Sequence, residues 1–455
     1  MKRTWPGALA AALLLGGAGA GEAAVLVVTQ NAVAYQHFTT IQDAVNAAQQ
    51  GDWILIDKGV YPGAVYITTP NLHVRGMDRN DVIVDGQHQV GNGIEVWKAN
   101  GVTIENLTVR NFDRPSLDGP NGNEIWWNGG DGSGVIGLSG WTGRYLTTYD
   151  DGLLGGYGLF ASNSINGFLD NVYASGFNDS GLYIGACRDC RAKVRHALIE
   201  NNALGYSGTN AGGHLIIEKS TFRNNSNGVG PNSLNNDDRP PPQDGACDSG
   251  SNSSATPAFV STRIQRCTMF RHNLVENNGN FSTPANSTTA SIPWGAGFVL
   301  IGTYADLIKD NTIRDNPSAG ILGFENPDPF PPTPSTVYFQ LSGNKIVHNT
   351  FSNNGTPNVT GSTDITLVGG LFGTQTSVNN CVSGNTISTS SPANIQGTWS
   401  CKNRTTPNPG GEALLYLLNL QAASQARTSV GQPPPPPQPS MGNPCAGVPR
   451  NPLCP

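Results

Sequence analysis

The segment Gly181-Leu182-Tyr183-Ile184-Gly185 opens with a glycine and continues with alternating apolar residues, and the same pattern returns at a nearly fixed period. Glycines at positions 158, 181, 205 and 228 are separated by 23, 24 and 23 residues. Similar openings occur at Gly93-Ile94-Glu95-Val96-Trp97, Gly297-Phe298-Val299-Leu300 and Gly320-Ile321-Leu322. Such a period is typical of a solenoid, because one short unit cannot bury its apolar side until its neighbours stack on it.

Polar residues, mostly asparagine, recur in two columns that keep register with the glycines. The first column contains Asn106, Asn171, His196, Ser220, Asn273, Asn311, Asn349 and Asn385. The second contains Asn111, Gly176, Asn201, Asn225, Asn278, Asn316 and Asn354. Stacked coils place equivalent residues about 4.8 Å apart, so asparagines can form a hydrogen-bonded ladder. Because the apolar alternation has period two and Val, Ile and Phe are abundant, the sequence predicts an all-β fold, a parallel β-helix.

The two ends of the chain differ from this repeat. Residues 1–24 combine Lys2 and Arg3 with a short apolar run and small residues, which predicts a signal peptide and a secreted, extracellular or periplasmic protein. Residues 25–405 form the predicted β-helix, with a capping helix that begins at Thr39 or Thr40. Residues 406–430 predict a C-terminal capping helix, and residues 431–455 a mobile proline-rich tail with a small cysteine-closed loop.

Composition narrows the class of protein. The net charge is -6 and only 13% of residues are charged, so no basic stripe suggests a nucleic-acid partner. The apolar run of the predicted signal peptide is too short to span a membrane, and no other segment approaches 18 apolar residues. We expect a monomer, and we expect four local disulfides. The expected pairs are Cys187 with Cys190, Cys247 with Cys267, Cys381 with Cys401, and Cys445 with Cys454.

The N-terminal segment resembles a known superfamily. Thr40-Ile41-Gln42-Asp43-Ala44-Val45, Gly51-Asp52, Ile54-Leu55-Ile56 and Gly59-Val60-Tyr61-Pro62-Gly63 are similar to the start of many pectin-lyase-like proteins, and the ladder repeats extend this resemblance over nearly the whole mature chain. The resemblance implies a right-handed parallel β-helix. The superfamily includes polysaccharide lyases, glycoside hydrolases, esterases, epimerases and members without known activity, so the fold does not assign the chemistry.

The motifs of individual subfamilies are mostly absent. Of the four motifs of polygalacturonase-like hydrolases, the chain offers only Asp150-Asp151 and a Gly212-Gly213-His214 variant. The Asp-Pro-His-Asp motif of alginate epimerases and the Asp-Phe-Ile-Phe-Gly strand of pectin esterases do not occur. These motifs therefore assign neither a catalytic nor a non-catalytic role to the protein.

Interruptions of the repeat predict where a binding site lies. Residues 112–157, 279–296 and 355–363 precede the glycine strand, whereas residues 231–262, 325–336 and 370–376 follow it, so two walls are expected to flank one face. Alternation assigns an outward-facing floor. It comprises Glu95, Trp97, Phe160, Ser162, Tyr183, Ser207 and Thr209.

Aromatic and charged residues near this face are the candidate site. Flat rings stack on sugars, and glycosidic chemistry uses carboxylates. The predicted catalytic residues are Asp150, Asp151, Glu95 and Tyr183. The predicted substrate-binding residues are Trp97, Trp126, Trp127, Trp141, Phe160, Arg144 and Arg188. Alternatively, the loop tryptophans form a small core, and Asp150 and Asp151 are turn residues.

These observations predict a protein that binds, and in one interpretation processes, an extracellular acidic polysaccharide by lyase, hydrolase or epimerase chemistry. No cofactor or metal site is predicted, although Ca²⁺ would suit chemistry on a uronate. The competing interpretation is a non-catalytic surface or partner-binding β-helix.

Overall fold

The chain winds into a three-sided solenoid in which most turns contribute one strand to each side. The computed structural model describes residues 23–114, 122–130, 135–234, 268–327, 338–368, 377, 379–402 and 413–455. Strands within each side pair in parallel with those of the preceding and following coils. The predicted parallel β-helix is therefore confirmed.

The three sides are named here the first, second and third face, in the order in which the chain visits them. The first face contains Val25–Val28, Trp53–Ile56, His73–Gly76, Ser164–Asp170, Lys193–Arg195, Leu215–Glu218, Thr268–Arg271, Leu307–Lys309, Lys345–Val347 and Cys381–Ser383. The second contains Gly59–Pro62, Val82–Asp85, Tyr173–Ser175, Leu198–Glu200, Thr221–Arg223, Leu274–Glu276, Thr312–Arg314 and Thr350–Ser352. Two long strands, Val102–Arg110 and Leu138–Tyr149, cross both of these faces.

The third face is an eleven-stranded parallel sheet. It contains Val65–Ile67, Asn92–Trp97, Gly122–Asn128, Gly155–Ser162, Ser180–Gly185, Leu204–Thr209, Asn227–Asn232, Ala296–Ile301, Ala319–Phe324, Thr363–Leu367 and Ser390–Ser391. Among the described residues, two further strand pairs lie outside the three faces: Cys187–Asp189 with Ala211–Gly213, and Asn326–Pro327 with Tyr338–Phe339.

The glycine period follows from close packing at the start of the third-face strands. A Cβ atom at Gly228 would lie 2.4 Å from the carbonyl oxygen of Gly297, and one at Gly205 would lie 2.3 Å from that of Gly228. Real side chains do not tolerate such contacts, so only glycine fits where successive backbones approach this closely. The next residue of each strand points inward and is buried, as at Leu159, Leu182 and Val229.

Both asparagine ladders are present. In the N-terminal coils, however, each ladder position lies one residue later in the chain than the predicted column. Asn273, Asn311, Asn349 and Asn385 are joined by side-chain amide hydrogen bonds of 2.9–3.0 Å. The second ladder likewise starts at Asn202, not Asn201, and its bonds are 2.9–3.1 Å long. Six predicted members instead occupy the left-handed position just before the ladder: Asn106, Asn111, Asn171, Gly176, His196 and Asn201.

The N-terminal helix α1, Ile41–Ala47, covers the first coil as predicted. The Thr40 side chain accepts a hydrogen bond from the backbone N–H of Asp43 and so caps the helix. Ile41, Ala44 and Val45 on its inner side are buried in the core. The apolar interior of the solenoid is thus closed at this end.

The two helices described near the C-terminus cover different parts of the solenoid. Helix α2, Ile395–Thr398, closes the last coil with buried Ile395 and Trp399, and Gln396 exchanges two hydrogen bonds with the backbone of the last ladder residue, Asn385. The helix expected within residues 406–430 is present as α3, Leu414–Gln425, but it packs against outward apolar residues of the third face, including Val299 and Leu322. It lies there because that apolar surface needs a cover, while α2 already closes the end.

The tail after α3 is docked, contrary to the mobile segment expected from its prolines. The Arg79 guanidinium donates to the carbonyl oxygen of Pro439 at 3.0 Å, and the Arg75 guanidinium donates to those of Pro444 and Ala446 at 2.9 and 2.8 Å. A polyproline segment loses little entropy on docking because it is already extended. The C-terminal tail therefore returns to the N-terminal coils.

Three of the four predicted disulfides are present: Cys187–Cys190, Cys381–Cys401 and Cys445–Cys454. Cys247 and Cys267 lie outside the described residues, as does nearly all of the predicted signal peptide. Across the described part of the chain, no helix combines the length and apolar character needed to cross a membrane.

Candidate functional site

A column of mostly aromatic residues crosses the third face on its outer side. Tyr66, Glu95, Trp126, Phe160 and Tyr183 are register partners on five successive strands. Adjacent strands are about 4.8 Å apart, so the column is roughly 19 Å long. The predicted outward assignment of Glu95, Phe160 and Tyr183 agrees with this register.

The rings of the column pack on one another. Trp126 and Phe160 are stacked at 4.9 Å between ring centroids, and Tyr157 stacks on Phe160 at 4.4 Å. Tyr183 meets Phe160 edge to face at 4.8 Å. Because Trp126 and Tyr183 are buried, the accessible rings among the described residues of this face are those of Tyr66, 45% exposed, and the half-buried Trp97, Tyr157 and Phe160.

Glu95 is the acidic residue of the column and is held by amide groups. Its carboxylate oxygens accept hydrogen bonds from Asn92 Nδ2 at 3.1 Å and from Asn128 Nδ2 at 2.9 Å. Asn123 Nδ2 in turn donates to Asn92 Oδ1 at 2.9 Å. These donors fix the carboxylate between Tyr66 and Trp126.

Two of the predicted sugar-stacking residues belong to the core instead. Trp127 and Trp141 are 0% and 1% exposed, and they stack on each other inside the solenoid at 5.0 Å. The described part of residues 112–157 accordingly does not form the predicted wall, because Gly122–Asn128 and Leu138–Tyr149 supply an additional coil. The interpretation of these two tryptophans as a core is the correct one.

Arg144, one of the two predicted arginines, does not join this surface. Arg144 pairs in register with Glu105 and Asp170 on the first face, and its guanidinium lies over Phe168. Arg188 lies in the strand Cys187–Asp189, and its side chain is outside the described part of the structure. Most of the second predicted wall also lies outside the described residues, namely 235–262, 328–336 and 370–376.

A second group of residues, the corner cluster, lies where the second face turns into the third. It comprises His88, Asp113, Glu124, Asp150 and Asp151. His88 Nδ1 is 2.9 Å from Asp113 Oδ2 and 3.8 Å from Asp150 Oδ1, and His88 Nε2 is 2.9 Å from Asp151 Oδ1. Four carboxyl groups thus gather around or near one imidazole.

Backbone donors hold the buried acid of the cluster. Asp150 accepts hydrogen bonds from the N–H groups of Gly152 at 3.1 Å and Gly155 at 2.8 Å. Burial raises the pKa of Asp150 to about 6, and the charge of Asp113 adds to the increase, while the two glycine hydrogen bonds oppose it. Asp150 is therefore both a turn residue, as one sequence interpretation had it, and a perturbed acid.

Burial and the neighbouring carboxylates also shift the pKa values of His88 and Glu124. Burial opposes a charge on His88, but the hydrogen bond and charge of Asp113, with the charge of Asp150, outweigh it and raise the pKa of His88. Glu124 is fully buried, and its Oε1 accepts from the N–H of Phe112 at 3.2 Å. Burial, followed by the charge of Asp150, raises the pKa of Glu124 well above its ordinary value.

The four predicted catalytic residues therefore separate into two groups. Asp150 and Asp151 lie in the corner cluster, whereas Glu95 and Tyr183 lie on the third-face column, three strands apart from each other. The cluster lies where the chain enters the three adjacent third-face strands that carry Glu95, Trp126 and Phe160. Sequence reasoning missed His88, Asp113 and Glu124. A usable signal existed, because His88 and Asp113 each come three residues after the paired strand ends Asp85 and Arg110.

Several solved structures are similar to this chain at low sequence identity. No family model and no curated protein matches the chain. Among solved structures, the A-module of mannuronan C-5 epimerase AlgE4 from Azotobacter vinelandii is similar over 76% of this chain and 88% of its own, with 13% identity and a TM-score of 0.47. A tailspike protein of E. coli bacteriophage HK620, solved with a pentasaccharide, is similar over 74% and 55%, with 12% identity and a TM-score of 0.44.

A third similar structure is a mannuronic acid specific polysaccharide family 6 lyase from human gut microbiota, over 76% of this chain and 79% of its own, with 15% identity and a TM-score of 0.43. The protein is a parallel β-helix, and its own parallel sheets carry that assignment.

Proposed function

We propose that the protein binds an extracellular polysaccharide along the third face. The observation that carries the proposal is the outward column Tyr66, Glu95, Trp126, Phe160 and Tyr183 on five consecutive strands. A long surface that combines flat rings with polar groups suits an extended sugar chain, because rings stack on the apolar faces of sugars and polar groups bond to hydroxyls.

Ionisable side chains of both signs lie on this face, with Glu95 buried and Lys98 exposed. Glu95 is fixed within the column, and the ammonium group of Lys98 lies 4.8 Å from the centroid of the Trp97 ring. A cation beside an aromatic ring suits a sugar that carries a carboxylate. The proposed ligand is therefore an acidic polysaccharide, with Tyr66 and Trp97 as its accessible stacking rings.

Binding is tested by titrating the purified protein with a panel of acidic and neutral polysaccharides. Tyr66→Ala and Trp97→Ala should each weaken binding at least about tenfold, as loss of an aromatic anchor does. Trp53→Ala is the matched control, since Trp53 stacks on His73 at 4.2 Å on the first face. Equal loss in all three variants, or no binding by the unmodified protein, would reject the proposal.

Turnover of the bound chain is a second candidate function, favoured by the position of Glu95 between two aromatic rings. Glu95 would act as the acid or base, with lyase, hydrolase or epimerase chemistry distinguished by the products. The same panel is followed for reducing ends, unsaturated uronates and inverted uronates. Glu95→Gln should remove product while binding persists; binding without any product identifies a recognition module.

A further inference from the structure

The corner cluster has the arrangement of a metal site with a histidine ligand. We propose that His88 Nδ1, Asp113 and Asp150 bind one divalent cation of the zinc or manganese type. This proposal does not rest on polysaccharide binding. Donor atoms of these three residues all lie within 4.8 Å of one another, although they are separated by up to 62 residues in the chain.

The distances match those that such an ion imposes. Metal–ligand bonds of about 2.1 Å in a tetrahedral site place the ligand atoms about 3.4 Å apart. The separations from His88 Nδ1 to Asp113 Oδ2 and to Asp150 Oδ1 are 2.9 and 3.8 Å, on either side of this value. Small movements of the three side chains would therefore bring their donor atoms to a common centre.

Asp151 supplies the orientation that a ligating histidine needs. Its carboxylate lies 2.9 Å from His88 Nε2 and accepts a hydrogen bond when that nitrogen carries the proton. With Nε2 protonated, the lone pair of Nδ1 on a neutral His88 faces the carboxylates of Asp113 and Asp150. This contact between electron-rich atoms is favourable only when a cation or a second proton lies between them. Carboxylate–histidine–metal triads use the same relay to fix the tautomer of the ring.

Two buried carboxylate oxygens in this corner accept no hydrogen bond from the described residues. They are Asp113 Oδ1, on a side chain 9% exposed, and Glu124 Oε2, on a residue that is fully buried. Unpaired buried acceptors are costly and rare, and a bound cation offsets that cost. Asp113 Oδ1 belongs to the same carboxylate as the proposed ligand oxygen, so the orphaned atom lies at the site itself.

Gly152 leaves open the space between the ligands. A Cβ atom at this position would lie 2.6 Å from Asp113 Oδ2, 3.2 Å from Asp150 Oδ1 and 3.2 Å from His88 Cε1. Any side chain here would intrude on the donor atoms. The imidazole ligand favours zinc or manganese over calcium, which prefers a shell composed of oxygens.

Isothermal titration of chelator-treated protein with Zn²⁺, Mn²⁺ and Ca²⁺ in separate experiments tests the proposal. We expect one saturable site per chain for Zn²⁺ or Mn²⁺. Asp113→Asn and His88→Gln should abolish binding, and Asp151→Asn should weaken it 10- to 100-fold, as loss of an orienting carboxylate does.

Gly152→Ala separates occlusion of the site from loss of a ligand, since it retains all three donors and should still abolish binding. Its matched control is Gly442→Ala, because no atom lies within 4 Å of a Cβ built there. Circular dichroism verifies that each variant is folded. Absence of a saturable site, binding unchanged in Asp113→Asn and Gly152→Ala, or binding of Ca²⁺ alone that His88→Gln leaves intact would overturn the proposal.

Discussion

Asn80 and Gln438 exchange two hydrogen bonds across 358 residues of chain: Asn80 Nδ2 donates to the Gln438 carbonyl oxygen at 2.9 Å, and the Gln438 N–H donates to Asn80 Oδ1 at 2.8 Å. Beside them, Asn106 Oδ1 accepts from Ser440 Oγ and from the Met441 N–H. These pairs fasten the C-terminal tail to coils near the N-terminus. Because the tail spans many coils, it opposes their separation in a fold whose repeats otherwise contact only their neighbours.

Asn80→Ala should lower the free energy of unfolding by about 1–3 kcal/mol, because it removes one side of two partly buried hydrogen bonds. Urea denaturation measures the change. In a chain that ends at residue 437 the same substitution should cost almost nothing, since the partner is gone. An equal cost in both chains would contradict the assigned role of the tail.

A substitution inside the ladder should lower the free energy of unfolding far more than one at an exposed asparagine beside it. Asn311 Nδ2 donates to Asn349 Oδ1 and to the Phe270 carbonyl oxygen, both at 2.9 Å, and its Oδ1 accepts from Asn273. Asn311→Ala leaves buried partners unpaired and should cost about 3 kcal/mol or more, measured by urea denaturation.

The matched control for the ladder is Asn353→Gly. Asn353 occupies an exposed left-handed position at φ 55°, which glycine adopts readily, so the change should be within about 0.5 kcal/mol. If both substitutions cost the same, hydrogen bonding along the ladder is not the source of its stability.

The sequence was sufficient to predict the solenoid but not the exact register of its corners. Glycine recurs where backbones approach, and asparagine recurs at two adjacent positions for different reasons. One position needs left-handed φ, which asparagine tolerates, and the next needs a side-chain amide for the ladder. At Asn201-Asn202 both are asparagine, so composition alone does not show which residue faces inward.

The site was harder to predict because it depends on how many residues each coil uses. Glu124 occupies a position where neighbouring coils have glycine, which hid the coil that contains Trp127 and Trp141. With that coil interpreted as a loop, His88 and Asp151 appeared unrelated, although they lie in hydrogen-bond contact across 63 residues. The outward column was predictable, since alternation alone places Glu95, Phe160 and Tyr183 on one side.

The core assignment of Trp127 has a direct test. Trp127→Ala should lower the free energy of unfolding by about 3–5 kcal/mol, because it opens a large cavity beside Trp141. Phe160→Ala, on the outer side of the next strand, is the comparison and should cost less than half as much by urea denaturation. A smaller cost for Trp127→Ala than for Phe160→Ala would return Trp127 to the binding surface.

Buried tyrosines should make the protein sensitive to alkaline pH. Tyr206 is fully buried, its hydroxyl donates to the Ile184 carbonyl oxygen at 3.2 Å, and burial raises the pKa of Tyr206 well above the ordinary value near 10. The pKa of Tyr173 is raised by burial in the same direction. A raised pKa in the folded state means that stability is complete below about pH 10 and falls as the pH rises further, because only the unfolded chain then releases the proton.

Urea denaturation between pH 8 and pH 11 measures this loss for the unmodified protein and for Tyr206→Phe. Removing one such proton should make the alkaline decline shallower by up to about 1.4 kcal/mol per pH unit. The substitution also deletes one hydrogen bond, so its stability at pH 8 should be lower by about 1 kcal/mol. Equal slopes for the two proteins above pH 10 would show that Tyr206 ionises in the folded state as easily as in the unfolded chain.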